Sequence, residues 1–190
     1  MSERKGAEAT VKIGEKVSKK REKKKYRHPE LDDRIRKDRT ETEARLIEEA
    51  RNHNVSVPEV EKTGNFELDM EKVDGVILKE KASENKLFKD LGKNVGLLHS
   101  TGIIHGDLTT SNVIVKDNST TIIDFGLSFR SERTEDKAVD IHLLKQVLNS
   151  SHPEVAEEAW QSFLKGYSSY EDSEEVQNWL KKVEKRGRYK

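Results

Sequence analysis

Two short motifs in the second half of the chain place carboxylate and amide side chains at spacings that suit phosphoryl transfer. Residues 105–112 read HGDLTTSN and residues 124–126 read DFG, which gives H-x-D-x-x-x-x-N followed by D-F-G. Phosphoryl transfer needs a carboxylate beside the attacking hydroxyl and metal ions on the phosphates. We therefore predict Asp107 as the catalytic residue. Asn112 and Asp124 are the predicted ligands of Mg²⁺ within an ATP site, because this ion prefers hard oxygen donors.

An enzyme of this type also needs a lysine on a strand to hold the nucleotide phosphates, and a glutamate to hold that lysine. Lys19 is the predicted lysine, but five further basic residues at positions 20–25 compete for the role. Glu43 is the predicted partner, because apolar residues four and seven positions later place it on an inward helix face, where a carboxylate requires a cation. The alternative is that Glu43 only closes a capping box with Thr40.

The remaining ATP contacts are predicted around the purine and the phosphates. Val17 shares a strand face with Lys19 and is expected to cover the adenine. Backbone groups of Glu71 and Val73 are the expected partners of the adenine edge. A loop over the phosphates is predicted at Gly6, Ala7, Glu8 and Ala9. It has one glycine where G-x-G-x-x-G is usual, so this prediction depends on its place before the first predicted strand.

Hydrophobic periodicity and turn residues predict an α+β chain in two parts. Residues 1–73 are predicted as strands with one helix at 40–53, opened by the capping-box spacing. Residues 74–190 are predicted as mainly helical, with a long helix at 83–101, two short strands at 113–115 and 121–123, and three closing helices.

Composition limits the classes of function. The 190 residues carry 36 basic and 36 acidic side chains and no cysteine, which excludes disulfides, thiolate zinc sites and cysteine nucleophiles. Residues 1–27 carry 11 Lys or Arg against 4 Glu, and residues 181–190 carry 6 against one Glu. Such basic ends either attract a polyanion such as RNA or are solubilising surfaces. We expect no membrane span, no secretory signal and a cytoplasmic location.

The chain resembles the small atypical kinase of the KEOPS (EKC) complex over nearly its whole length. The resemblance rests on HGDLTTSN and DFGL, and on four further strings: GAEA at 6–9, YRHPELD at 26–32, EAR at 43–45 and RGRY at 186–189. It implies a minimal bilobal protein-kinase-like fold, with a small β-rich N-lobe, a reduced helical C-lobe, and ATP and Mg²⁺ as cofactors. By position it makes Lys19 the nucleotide lysine, Glu43 its pair and Asp107 the catalytic aspartate.

The same resemblance implies an ATPase or Ser/Thr kinase that supports formation of threonylcarbamoyladenosine (t6A) at position 37 of ANN-decoding tRNAs. The implied partners are a threonylcarbamoyl transferase at the C-lobe, a small regulatory subunit at the N-lobe, and tRNA. The basic tail 181–190 either reaches tRNA or the transferase, or it is a frayed end. The alternative functions are a stand-alone Ser/Thr protein kinase, a small-molecule phosphotransferase and a non-catalytic ATP-binding scaffold.

Two departures from the usual kinase pattern shape the expected reaction. Gly106 stands where H-R-D has an arginine that commonly reads a phosphorylated activation loop, so switching by phosphorylation is not expected. The segment between Asp124 and Asp140 is short and lacks A-P-E. Because that segment normally supports a peptide substrate, we expect the phosphate acceptor to be water or a docked partner.

Overall fold

An antiparallel sheet of five strands forms the first part of the computed structural model, which describes residues 2–6 and 9–187. In spatial order the strands are β1 (Ser2–Lys5), β2 (Thr10–Ile13), β3 (Lys16–Lys20), β5 (Glu67–Glu71) and β4 (Val60–Thr63). In the pairing of β3 with β5, Val17 lies opposite Met70 and Lys19 opposite Leu68. The period of two along a strand therefore puts these four residues on one face of the sheet.

A single long helix, α1 (Pro29–Asn52), belongs to the same lobe, and the predicted start of this helix at residue 40 is wrong. Pro29 occupies the first helical position, where its fixed φ and its missing N–H are tolerated. Thr40 lies in the helix interior, where its Oγ1 donates to the carbonyl oxygen of Arg36 at 2.8 Å. The capping-box spacing therefore has no capping role here, and Glu43 lies on the buried side of the helix.

The second lobe is mainly helical and begins with α2 (Asn85–Ser100) as its central helix. The predicted long helix and the two predicted short strands agree with the structure to within two residues. α2 packs closely against the helix α4 (Ala156–Tyr167) at Gly166, where an added Cβ would overlap the carbonyl oxygen of Lys89. The other strands and α-helices are β6 (Val76–Ile77), β7 (Ile103–Ile104), β8 (Val113–Lys116), β9 (Ser119–Ile122), β10 (Phe129–Arg130), α3 (Thr134–Ser151), α4 (Ala156–Tyr167) and α5 (Ser173–Gly187), and two short 3-10 helices lie at Leu78–Lys81 and Thr110–Asn112.

The strands of this C-lobe form two small antiparallel sheets. β8 lies between β6 and β9, while β10 pairs with β7. This second pairing brings the segment after the DFG motif against the strand that leads into the HGD motif. The buried core runs continuously from α1 through α2 to α3, α4 and α5.

The basic segment predicted as a tail is helical as far as the structure describes it. Residues 181–187 are the last part of α5, so the prediction of a tail is wrong there, and residues 188–190 lie outside the described residues. Two ion pairs hold this end against α3: Glu184 with Lys145 at 2.7 Å and Arg186 with Glu135 at 2.6 Å. Among the described residues, none of the helices combines the length and apolar character that a bilayer-spanning segment requires.

Candidate active site between the two lobes

A buried ion pair joins β3 to α1. Lys19 Nζ lies 2.6 Å from Glu43 Oε1, and the two side chains are 9% and 2% exposed. Arg21, which is also buried, reaches the other carboxylate oxygen of Glu43 at 2.5 Å. Glu43 is thus paired with two cations, so none of these three buried charges is left without an oppositely charged partner. In the sequence analysis Arg21 was an alternative to Lys19 as the phosphate-binding residue. In the structure each of the two side chains contacts a different oxygen of the same carboxylate.

Lys19 also contacts the DFG motif of the C-lobe. Its Nζ lies 2.6 Å from Oδ1 of Asp124, a residue whose φ of 64° is unusual outside glycine. Burial raises the pKa of the Asp124 carboxyl, but the charge and hydrogen bond of Lys19, helped by the Gly126 N–H and by His105, outweigh burial and bring the pKa below its usual value. Asp124 is therefore a carboxylate at neutral pH and available to a cation.

The predicted catalytic loop is closed by a side chain. Asn112 Nδ2 donates to the carbonyl oxygen of Asp107 at 2.9 Å and to its Oδ2 at 2.8 Å. The backbone oxygen of Asn112 accepts from the N–H of Ile123 at 2.9 Å, which joins the loop to the residue before Asp124. Because both amide hydrogens of Asn112 are used, its Oδ1 is left as an acceptor for a ligand.

Asp140 on α3 holds the other end of this loop, a role that the sequence analysis missed. This buried carboxylate accepts from the backbone N–H groups of His105 and Gly106, both at 2.9 Å, and from His99 Nε2 at 3.2 Å. Burial raises the pKa of Asp140, but the His99 hydrogen bond and the nearby His105 outweigh it and lower the pKa. The available signal was an acidic residue on the apolar face of a predicted helix, where a carboxylate needs donors.

Gly106 is required by the backbone of the loop. Its φ is +79°, and an added Cβ would overlap the carbonyl oxygen of Leu127. An arginine at this position, as in H-R-D, would be strained and would meet the segment after the DFG motif.

A cavity of about 270 Å³ lies between the two lobes and contains most of the predicted nucleotide residues. Its walls are largely apolar, as a purine pocket requires. The N–H of Glu71 donates to the carbonyl oxygen of Glu59 at 2.8 Å, so of its two backbone groups only the carbonyl can be offered to a ligand. The lining includes Val11, Ile13, Val17, Lys19, Met70, Glu71, Val73, Ile77, Ser111, Asn112, Ile114, Ile123 and Asp124.

A second cavity of about 400 Å³ adjoins the first, and Lys19 and Asp124 line both. Asp107 and Gly126 line its C-lobe side, while Gly6 and Ala9 line its N-lobe side. Gly6 N–H donates to the carbonyl oxygen of Ala9 at 2.9 Å, which closes the turn between β1 and β2. The predicted phosphate loop therefore follows a strand instead of preceding the first one. Ala7 and Glu8 lie outside the described residues.

The donor set at the junction of the two cavities fits a magnesium ion. The free Oδ1 of Asn112 and the carboxylate of Asp124 are hard oxygen ligands, and Mg²⁺ commonly combines one or two such ligands with phosphate oxygens and water. Within residues 2–6 and 9–187, no three His, Asp or Glu side chains come together to form a metal site of their own. The protein thus supplies part of a coordination sphere that a nucleotide would complete.

The fold and this cleft define a protein-kinase-like class of two-lobed, nucleotide-binding proteins. A family model described as the RIO domain matches residues 3–158, and the chain belongs to this family of atypical kinases. The predicted bilobal kinase-like fold is confirmed. The predicted atypical-kinase resemblance is confirmed at the level of the family.

Two similar proteins extend the comparison. The chain is 43% identical to a protein of Methanococcus maripaludis (strain C5) and 44% identical to one of Methanospirillum hungatei JF-1. Both alignments cover 97% of this chain. Both are named "Probable bifunctional tRNA threonylcarbamoyladenosine biosynthesis protein". The chain spans only 35% of the length of each of them.

Solved structures share the fold at low sequence identity. The Rio2 kinase from Chaetomium thermophilum has a TM-score of 0.67 at 15% identity, covering 99% of this chain and 72% of that one. The amicoumacin kinase hAmiN, solved with AMP-PNP and Ca²⁺, has a TM-score of 0.65 at 16% identity, with coverages of 94% and 78%.

Proposed function

We propose that this chain is an atypical Ser/Thr kinase or Mg²⁺-ATPase that supports t6A formation at position 37 of ANN-decoding tRNAs. The observation that carries the chemistry is the Lys19 ammonium between Glu43 and Asp124, with both contacts at 2.6 Å. Asp107 lines the same cavity as Lys19 and Asp124. A fixed cation, a carboxylate and metal-ligating oxygens around one cleft are what phosphoryl transfer requires.

Each residue of the cleft has a role that follows from its position. Val17 and the backbone of Glu71 and Val73 hold the adenine, and Lys19 binds the α- and β-phosphates. A phosphate oxygen on Lys19 replaces Asp124 there and frees that carboxylate to join Asn112 as a metal ligand. Bound Mg²⁺ neutralises charge on the phosphates.

Asp107 is the proposed catalytic residue because it can orient the attacking hydroxyl and accept its proton. The acceptor is water or a docked partner. Asp124 and the first residue of α3, Thr134, are separated by only nine positions, and two of these, Phe129 and Arg130, pair with β7. Little backbone is left to support a free peptide.

The printed names of the relatives support the biological setting. Proteins 43% and 44% identical to this chain are named for t6A biosynthesis and called bifunctional, and the chain spans 35% of their length. We infer that a threonylcarbamoyl transferase contacts the C-lobe and a small regulatory subunit the N-lobe, as parts of a KEOPS complex in the cytoplasm. tRNA binds through that complex, and the exposed Lys181, Lys182 and Lys185 on α5 are candidates for a direct contact.

A time course with γ-labelled ATP and Mg²⁺ tests the proposal. The reactions contain the chain alone, with the transferase, or with the transferase and tRNA, and Asp124→Ala is the control. Faster release of labelled phosphate with the transferase supports a partner-stimulated ATPase in t6A synthesis. Label on a Ser or Thr of another protein, with no dependence on the transferase, contradicts the proposal and supports a stand-alone protein kinase.

A further inference from the structure

The segment between β3 and α1 exposes an aromatic ring that the active site does not use. Residues 21–28, which we term the Tyr26 loop, include the first three residues of the YRHPELD string. Tyr26 is 77% exposed, the highest value among the large apolar side chains in the described part of the chain. It lines neither of the two cavities between the lobes.

A buried carboxylate holds this loop in place. Asp32, whose side chain is 0% exposed, accepts from the backbone N–H of Lys24 at 3.3 Å and from Arg36 Nε at 2.8 Å. The guanidinium of Arg27 lies 3.6 Å from the same carboxylate. Burial of a carboxylate is costly unless the carboxylate is paired. The contacts of Asp32 therefore hold the loop against the start of α1.

Arg36 fixes the start of the loop as well. Its Nη1 donates to the carbonyl oxygen of Arg21 at 3.2 Å, and its guanidinium lies 3.9 Å from the centroid of the Phe66 ring. Arg21 N–H in turn donates to the carbonyl oxygen of Phe66 at 2.8 Å. The loop is therefore anchored on both sides of Tyr26, and the exposure of this ring is a property of an ordered segment.

Basic residues precede and follow the exposed ring in the chain. The guanidinium of Arg27 lies 5.2 Å from the Tyr26 centroid. Lys20, Lys23 and Lys25 are exposed, and within residues 2–6 and 9–187 they form no ion pair. Residues 20–28 carry six Lys or Arg against a single Glu. The surface thus combines an exposed aromatic ring with exposed positive charges.

We propose that the Tyr26 loop binds unpaired nucleotides of RNA, with Tyr26 stacked on a base and the lysines on the adjacent phosphates. Single-stranded RNA is recognised by this combination of aromatic stacking and cations. A protein partner fits less well, because lysine is depleted at protein–protein interfaces. The inference deepens the proposed function and rests on it for the identity of the RNA, which is an unpaired loop of the tRNA.

The test measures binding of a labelled single-stranded oligoadenylate and of a labelled anticodon stem-loop by fluorescence anisotropy. Tyr26→Ala and Tyr26→Leu should raise Kd roughly tenfold, and Tyr26→Phe should bind like the unchanged chain, because stacking needs an aromatic ring. Lys23→Gln with Lys25→Gln should reduce the slope of log K against log salt by about 0.7 for each phosphate that these lysines neutralise. Lys89→Gln with Lys165→Gln, two exposed lysines on α2 and α4, removes the same charge elsewhere and should have little effect.

Two results would overturn the proposal. One is a Tyr26→Leu variant that binds RNA as tightly as the unchanged chain. The other is a Tyr26→Ala variant that keeps its RNA affinity but no longer binds the small regulatory subunit, which would make the loop a protein-docking surface. ATP turnover with the transferase, measured without RNA, distinguishes failure of the proposed function from failure of the RNA-binding proposal. If the transferase does not stimulate turnover by the unchanged chain, the proposed function is contradicted, whereas the RNA-binding result still stands.

Discussion

The Nζ atom of Lys19 and the Oδ1 atom of Asp124 lie 2.6 Å apart, although 105 positions separate the two residues in the chain. This contact joins the strand β3 of the N-lobe to the DFG motif of the C-lobe. Lys19 uses the same ammonium group for Glu43, so one side chain connects the sheet, the helix α1 and the DFG segment. The consequences of this arrangement can be measured.

The stability of the protein should depend on pH through Asp124. Its pKa is lowered in the folded state, so its contribution is present above the ordinary carboxyl pKa of about 4 and is lost as the pH falls through the lower folded value. The free energy of unfolding, measured with urea, should therefore fall less steeply between pH 7 and pH 3 for Asp124→Asn than for the unchanged chain. The difference should be small, because the side chain is 51% exposed. If the free energy of unfolding changed equally with pH in both proteins, the contact with Lys19 would not contribute to stability.

Loss of the Asp107 carboxylate should affect turnover more than nucleotide binding. Asp107→Asn keeps the backbone carbonyl that accepts from Asn112, so the loop should remain closed. Turnover of ATP should fall about 100-fold or more, as is typical for loss of a general base, with little change in the Kd for ATP. Phosphate release and a fluorescent-nucleotide titration measure the two quantities. Asp117→Asn in the exposed turn after β8 is the control and should change neither.

Substitutions of Glu43 and of Arg21 should differ in their effects on stability and on ATP turnover. Glu43→Gln leaves the buried Lys19 and Arg21 without their shared carboxylate, and breaking a buried ion pair in this way costs about 3–5 kcal/mol. Arg21→Met removes one cation and keeps the Lys19–Glu43 pair, so it should destabilise less and retain most of the ATP turnover. Urea unfolding and phosphate release on both variants provide the comparison. A larger loss of turnover in Arg21→Met would mean that Arg21 is the phosphate-binding cation.

Gly106 should not tolerate a side chain. At φ +79°, and with the Leu127 carbonyl in the position of a Cβ, Gly106→Ala should lower the free energy of unfolding by about 1–3 kcal/mol and reduce ATP turnover. Gly64→Ala is the matched control, because an added Cβ there would make only an ordinary contact at 3.5 Å. Thermal unfolding gives the ranking, and similar shifts for both variants would contradict this account.

Tyr167 should support the catalytic loop through His99. Its hydroxyl lies 2.8 Å from His99 Nδ1, while His99 Nε2 lies 3.2 Å from Asp140. If Nε2–H donates to Asp140, the neutral ring needs a donor at Nδ1, and the Tyr167 hydroxyl provides it. Burial raises the pKa of Tyr167, so this hydroxyl keeps its proton.

Tyr167→Phe would therefore leave a buried nitrogen without a partner, at a cost of about 1–3 kcal/mol, and should lower turnover. Tyr170→Phe removes a hydroxyl that bonds Lys137 and Asp172 instead of His99. It should leave turnover nearly unchanged. An equal loss of turnover in both variants would rule out a specific role for the His99 contact.

Local sequence signals located the motifs better than the helix boundaries. Asp107, Asn112 and Asp124 were proposed from residue type and spacing, and the structure places all three around the cleft between the lobes. The start of α1 was misplaced because Thr40 and Glu43 have capping-box spacing in the middle of a helix that begins at Pro29. A cap and a helix interior can share the same letters, and tertiary contacts decide between them.

The sequence by itself determined which functional groups are present: a carboxylate, an amide and a second carboxylate at kinase-like spacing, and two basic ends. Only the tertiary structure decided which of several adjacent cations reaches Asp124, that Arg21 shares Glu43, and that Asp140 holds the loop at His105 and Gly106. The physical reason is that these contacts join residues tens of positions apart. Their partners depend on strand register and helix packing, and periodicity within one segment does not specify how two segments meet.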